Sequence, residues 1–501
     1  MTAIEKKISI KKIAEMIIFL IPIIVILKMY STCISGNDFW WHLKVGQRVV
    51  VDRNVPLKDI FSWYGMERKI NWTAHEWLAE VIFYVVFRKF GEKGIFIFSI
   101  TSVIGMYILL WNIVRKYLDN NYFFSLIYLI FYSILSKFFF YGRPQVFGFF
   151  LLFFELKCLY DFIENENSKK IYFLPLISIL WSNLHGGSAG LSYVVCIIFI
   201  IAGAKKNDFG RIEAKRLSNK SLAKLIIVTF AVILGLLVNP IGTKVLIYPY
   251  INLSDEISMR MISEWRSPDA KQLADIIFYF LPVAVMSYGV IEKKCKVRLI
   301  DVLIMCCFLL LFFRSVRFIM LWFIAASFYS FRYMPRLEIK AVTKLYEKVT
   351  IGILFVLVVF GLFIAGSNVI KLYNKGELIA KAMSDEAVKT IVEDSPNRLF
   401  NDYNFGETLI YNDIPVFFDS RADLFSQENI LADGISLMLL SQKNSDSDKE
   451  YVDVNELIQK YNFDAILIKK SRPLYTYIIS HTEKFMLIYE DEQLGYFKIR
   501  Y

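Results

Sequence analysis

Apolar runs separated by short polar connectors recur from Ile13 to Ile370. They predict helices near 13–30, 94–114, 121–141, 145–162, 171–184, 187–204, 222–241, 272–291, 298–313, 316–334 and 348–370. Runs of this length and spacing mark a polytopic membrane protein, although several fall short of the ~20 residues of a full span. No small-residue cleavage site follows "IAEMIIFLIPIIVILKMY", so the first run reads as a retained helix. One more apolar stretch, "WLAEVIFYVVFRKFG" from Trp77, is short and carries Glu80, which predicts a helix lying along the outer membrane surface.

After Leu372 the pattern changes. "RLFNDYNFGETLIY", "IPVFFDSRADLF", "FDAILIKK" and "FMLIYEDEQLGYFKIR" run or alternate at strand length, while "SDEAVKTIVED" and "VNELIQKYN" have helical spacing. "SQKNSDSDKE" (441–450) reads as an exposed loop. The predicted organisation is a helical membrane domain over 1–371, with a first outer loop and surface helices over 31–93, and an extracytoplasmic α/β domain over 372–501.

Charge supports this division. The chain carries 58 Lys+Arg and 47 Asp+Glu; residues 372–501 hold 14 and 22 of them, leaving 44 and 25 for the first 371. The basic excess therefore belongs to the membrane part, where loop insertion explains it and nucleic-acid binding is not needed. The most basic connector, Lys205 to Lys224, has seven basic and two acidic residues and is expected to be cytoplasmic. Helix counting puts two other basic connectors, 292–298 and 332–348, on the same side. The count gives eleven spans, a cytoplasmic N-terminus and an extracytoplasmic C-terminal domain in the cell membrane. At 56% hydrophobic the chain exceeds the ~45–50% of soluble proteins. Its six cysteines show no zinc-type spacing and none lies in the acidic tail, so neither a structural zinc site nor a disulfide scaffold is expected.

The same parity collects the chemically distinctive clusters on the outer face: "GNDFWWHLKVGQ" at 36–47, "NWTAHEW" at 71–77, "GRPQ" at 142–145, "WSNLHGG" at 181–187, Asn239-Pro240, Glu264-Trp265-Arg266, and Arg314 with Arg317. Asp38 follows the first helix beside Trp40 and Trp41. It is either a general base with aromatic faces gripping a sugar or lipid, or a helix-capping acid in an aromatic belt. Asp38 and His42 are four residues apart and share a helix face. With His75 and Glu76 they form either a proton relay or a divalent-metal set, the metal candidates being Asp38, His42 and His75. His185 follows a helix and precedes two glycines, as a site residue or as a bystander at a helix C-cap. Arg143, Arg260, Arg266, Arg314 and Arg317 run against the positive-inside bias; guanidinium groups match phosphate oxygens bidentately, and the alternative is snorkelling or pairing with Asp38, Glu76 or Glu264. No P-loop or GxGxxG occurs, so a sugar donor would be lipid-linked. In "FFDSRADLF", a continuing strand would place Asp419, Arg421 and Asp423 on one face, as a structural ion pair or as an edge that positions the acceptor.

"NDFWWHLKVGQ", "VPLKDIFSW", "NWTAHEWLAE", "RPQVFGF", "WSNLHGG", "NPIG" and "FFDSRADLF" resemble, in order, a broad group of bacterial polytopic proteins related to the GT-C glycosyltransferases, among them protein O-mannosyltransferases and aminoarabinose transferases. The resemblance implies a catalytic acid in the first outer loop, surface helices after it, and often a soluble outer domain at the C-terminus. Asp38 matches that acid; the usual second acid beside it is Asn37 here. The implied function is transfer of a sugar from a polyprenyl-phosphate donor to an extracytoplasmic glycan, lipid or protein acceptor. Asp38 would be the base, His75 or Glu76 would assist, and Trp40, Trp41, His42, Arg143, His185, Glu264, Arg314, Arg317 and Arg421 would bind substrate. Rival readings are a transporter or flippase for lipid-linked sugars, and a non-catalytic partner in polysaccharide assembly.

Overall fold

The computed structural model describes residues 3–34, 36, 38–120, 122–254, 259, 263–269, 271–272, 277, 281–334, 344–426, 429–442 and 450–501. Asn37, Arg260, most of 272–280, part of the 332–348 connector and the centre of the 441–450 loop lie outside the described residues. The chain forms two compact units. One comprises Met1–Ile34, Val86–Pro249 and Arg266–Ile379; the other comprises Ser35–Val85, Tyr250–Trp265 and Ala380–Tyr501.

The first unit is helical, and among the described residues a helix lies within each predicted apolar run, that of 272–291 being described as a helix from Leu281. Five described helical segments are long and apolar enough to cross a membrane: Trp77–Leu118, Tyr122–Phe139, Gly186–Ala204, Asn219–Leu236 and Ile351–Lys375. The first helix, Ala3–Met29, packs against Lys344–Lys375 and Tyr122–Phe139. Leu174–Leu184 packs on Asn219–Leu236, and the crossing needs Gly235, because a Cβ there would collide with Ser178 and Pro175. A small sheet joins β1 (Asn207–Phe209), β2 (Ile212–Ala214) and β3 (Val297–Arg298), with β2 and β3 parallel. The long helix Trp77–Val114 is broken at Gly91, whose φ of 60° and ψ of −154° suit glycine. The break separates the 77–90 stretch from the 94–114 run, where the sequence divides them.

The second unit is built on a four-stranded sheet of β4 (Leu399–Asn401), β7 (Ala465–Lys469), β8 (Phe485–Glu490) and β9 (Leu494–Ile499), in the order β4-β7-β9-β8. Strands β4 and β7 are parallel and the other pairs antiparallel. The short strands β5 (Ser441–Gln442) and β6 (Glu450–Tyr451) pair beside it, inside the predicted loop. Helices Asp385–Asp394 and Val454–Tyr461 form where helical spacing predicts them. Two strand expectations fail. "RLFNDYNFGETLIY" gives only β4 before turning into a 3₁₀ turn and the helix Gly406–Tyr411. "FFDSRADLF" contains no strand: Val416 makes one isolated bridge to Ser62, and Ala422–Phe425 is a helical turn, so Asp423 does not share a strand face with Asp419 and Arg421. Asp402 and Gly406 in the first stretch, and Asp419 and Asp423 in the second, favour capping and turns over a ladder.

The loop segment supplies part of this unit's core. Trp41, Val45, Phe61, Trp63, Trp72 and Ala74 are buried in one cluster with Phe400, Phe417, Leu467 and other tail residues. Trp63 donates its indole N–H to the Leu399 carbonyl at 3.1 Å and stacks on Phe417. Aromatic burial of this size dominates core energetics.

Candidate functional site

The site residues of the second unit lie around one helix, Phe39–Asp52, which begins just after Asp38. Its inner face carries His42 and Gly46, one turn apart. A Cβ at Gly46 would collide with the Glu80 carbonyl, so the glycine lets this helix approach the 77–90 stretch backbone to backbone. That approach puts the His42 ring between two carboxylates: Nδ1 is 2.9 Å from Glu80 Oε1 and Nε2 is 3.9 Å from Glu76 Oε2. His75 Nε2 lies 3.9 Å from Glu76 Oε1. Of the four groups that the sequence offers as a relay or a metal set, Asp38, His42, His75 and Glu76, the last three lie together here, joined by Glu80, which reads in the sequence only as a polar interruption in an apolar helix. The Trp41 ring lies tilted against the His42 ring, at 3.7 Å between centroids and 33° between planes.

His42, Glu76 and Glu80 are all buried, and their ligand atoms lie within 4.8 Å of one another, close enough to hold a metal ion. The donor set of one imidazole and two carboxylates suits a divalent first-row metal. Glu80 Oε2 is buried and makes no hydrogen bond among the described residues, the kind of orphaned oxygen that a bound cation would satisfy. Of the metal candidates named from sequence, His42 belongs to this group, while Asp38 and His75 are not among its three members.

Asp38 works in a second, acidic constellation. Together with Glu407, Asp419 and Glu264 it acts electrostatically on Tyr403, whose phenol is pushed well up by burial and by these carboxylates. Glu407 is fully buried; burial first and the Asp38 charge second raise its pKa to about 8. Its Oε1 accepts from the Ser420 backbone N–H at 3.1 Å, and Oε2 has no partner among the described residues. Ser420 Oγ in turn accepts the Trp41 indole N–H at 3.0 Å. Trp40 packs on Tyr411, with ring centroids 4.9 Å apart. Glu407 was quoted in the sequence only as part of a supposed strand, so nothing there marked it as a site residue.

Arg421 is 2% exposed. Its guanidinium donates to Asp419 Oδ1 and Oδ2 at 2.8 and 2.7 Å and to Asp59 Oδ1 at 2.7 Å, and it lies over the rings of Trp72, Phe61 and Phe425. The second flanking carboxylate is therefore Asp59 of the loop, not Asp423. Burial alone would disfavour the charge, but the two aspartates outweigh it and hold Arg421 ionised. This saturated, enclosed triad ties the loop to the tail and leaves no open face of Arg421 for an acceptor.

The remaining site residues belong to the first unit. Arg143 follows Gly142 (φ 45°) and precedes Pro144 at the start of helix Gln145–Glu164. His185 joins Leu174–Leu184 to the turn Gly186–Ala189, and its Nδ1 is 2.5 Å from Ser188 Oγ. Arg314 ends helix Leu299–Arg314, and Arg317 lies in the 3₁₀ turn after it. The Arg266 carbonyl accepts from the Val316 N–H at 3.0 Å, which fixes the backbone beside both arginines.

No protein-family model matches the sequence, and no curated protein matches it. Solved structures do. The oligosaccharyltransferase of Archaeoglobus fulgidus, tethered by a disulfide bond to an acceptor peptide containing the NVT sequon, superposes with a TM-score of 0.57 at 10% identity, covering 97% of this chain and 74% of that one. The apo form of the same enzyme gives 0.52 at 11%, covering 95% and 70%. The fold is the GT-C fold of membrane glycosyltransferases, with a C-terminal α/β unit.

Proposed function

We propose that the chain is a membrane glycosyltransferase that moves a sugar from a polyprenyl-phosphate donor to an extracytoplasmic acceptor, with Asp38 as the general base. The observation that carries the reading is the position of Asp38: it opens the loop helix directly after the first apolar helix, in an acidic constellation with Glu407 and Glu264, on a GT-C fold. Glu407, largely protonated near neutral pH, is a donor and not a second charge beside it. An acceptor hydroxyl or amide would give its proton to Asp38 while attacking the anomeric carbon, and the polyprenyl phosphate would leave.

Arg143, Arg314 and Arg317 are assigned to the departing phosphate on guanidinium chemistry, and Trp40 and Trp41 to the sugar or lipid. A divalent ion is assigned to His42, Glu76 and Glu80, where it would supply fixed positive charge at the loop helix. His75, hydrogen-bonded to the Thr73 carbonyl at 3.3 Å, is assigned to orienting Glu76. A peptide is one acceptor class to try first, because the similar archaeal enzyme was captured with one. Arg421 is proposed as a positioning residue for the loop.

The experiment is a transfer assay with purified protein, polyprenyl-phosphate sugars and a panel of glycan, lipid and peptide acceptors, run beside a liposome scrambling assay. Sugar transfer supports the reading. Scrambling of the lipid-linked sugar without transfer would establish a flippase instead.

A further inference from the structure

The first unit contains a cavity of about 800 Å³ that the proposed transfer does not use. The end of helix Gln145–Glu164, strand β2 and the residues after it, and the start of helix Leu299–Arg314 form its walls. Five basic side chains line it: Lys206, Lys215, Arg216, Arg298 and Arg332, against Glu164 and Glu213. Arg298 is neutralised from behind by buried Asp301, which accepts from its Nε at 2.8 Å and its Nη2 at 2.9 Å. Glu164 is shared, 3.4 Å from Arg332 and 3.7 Å from Arg298. Among the described residues no carboxylate comes within salt-bridge distance of Lys206, Lys215 or Arg216, and buried Arg332 Nε has no hydrogen-bond partner. The cavity therefore keeps a positive balance, which an anion would satisfy.

A second cavity of about 320 Å³ lies against the same strands and is apolar, with Ile212, Met286, Val290, Val297 and Met305 in its lining. The two are separated by the β2–β3 pair, in which Ile212 is opposite Val297 and Glu213 is opposite Arg298. Successive side chains of a strand point to opposite faces. The register thus puts Ile212 and Val297 in the apolar cavity, and Glu213 and Arg298 in the basic one. In the helical turn Ser330–Tyr333, Arg332 lines the basic cavity and Tyr333 the apolar one.

We propose that the basic cavity binds the phosphate headgroup of an anionic phospholipid. The basic cavity would suit any phosphate-bearing anion; its supply of basic side chains by a connector expected at the membrane surface is what favours a lipid headgroup. The 205–224 connector, expected at the cytoplasmic surface, is the stretch that supplies Lys206, Lys215 and Arg216, so an inner-leaflet lipid would meet them first.

The test uses delipidated full-length protein and native mass spectrometry with phosphatidylglycerol, phosphatidylcholine of matched chains, and inorganic phosphate. The triple variant Lys206→Gln/Lys215→Gln/Arg216→Gln alters exposed side chains only, and its unfolding temperature confirms the fold. Phosphatidylglycerol should be retained over phosphatidylcholine. Its affinity should drop about fivefold per charge removed, on the order of a hundredfold for the triple variant. Lys206→Arg/Lys215→Arg should bind as the wild type does. Equal phosphatidylglycerol binding by wild type and triple variant would overturn the site. Displacement of the lipid by millimolar inorganic phosphate, with phosphate itself lost in the triple variant, would overturn the lipid assignment in favour of a soluble anion.

Discussion

Glu407 and Arg421 show how a single side chain is set by what surrounds it. Burial and Asp38 raise the Glu407 pKa from an ordinary carboxyl value near 4.5 to about 8. The folded protein therefore holds this proton over a range in which the unfolded chain has lost it. Stability from this group is fully present below about pH 4.5 and falls as pH rises to about 8. Glu407→Gln removes the titration, so its unfolding temperature should decline less between pH 5 and 8 than that of the wild type, with the gap widest at pH 8. Parallel declines would contradict the raised pKa. Arg421→Ala leaves Asp59 and Asp419 buried without their counter-charge, at a cost of about 3–5 kcal/mol. The expected phenotype is protease sensitivity of 372–501 with loss of all activity. A folded variant with a raised acceptor KM and unchanged kcat would instead make Arg421 a substrate contact. The sequence placed a carboxylate on each side of Arg421 but could not name Asp59, which is 362 residues away. Long-range ion pairs leave no local pattern.

At the scale of elements, periodicity worked where one apolar face or run dominates. The described parts of the apolar runs, the helices Asp385–Asp394 and Val454–Tyr461, and strands β7, β8 and β9 lie where spacing puts them. It misled in "RLFNDYNFGETLIY" and "FFDSRADLF". There, buried side chains on both sides look like a strand, while capping by Asp402 and the ion pair of Asp419 decide the backbone. The role of Gly46 is likewise invisible in sequence, because it lies in the contact with Glu80. Gly46→Ala should force the loop helix off the 77–90 stretch, at about 1–3 kcal/mol, and separate His42 from Glu80. Thermal unfolding of purified protein measures the first effect. The histidine resonances would report the second. An unchanged His42 environment in a stable variant would mean that the contact is looser than its geometry indicates.

At the scale of the whole molecule, hydropathy and charge made the membrane class and the α/β tail legible, and the order of short motifs pointed to the GT-C fold at an identity of only 10–11% to the solved structures. The joint core of residues 35–85 with 380–501 was not legible, since nothing local to Trp63 marks a partner such as Leu399, 336 residues away. Topology follows from parity and predicts a two-sided labelling pattern. In a cysteine-free background, Glu492→Cys should react with an impermeant thiol reagent in intact cells, and Lys220→Cys should react only after lysis. The reverse pattern would put the acidic constellation on the wrong side for an extracytoplasmic transfer.

The central claim is that Asp38 takes the acceptor proton during sugar transfer. The direct measurement is single-turnover transfer by Asp38→Asn beside its binding of the polyprenyl-phosphate sugar, in the same preparation. The expected result is donor affinity within a few-fold of wild type, with transfer slowed by about 10²–10⁴-fold. Transfer at the wild-type rate by Asp38→Asn would contradict the account.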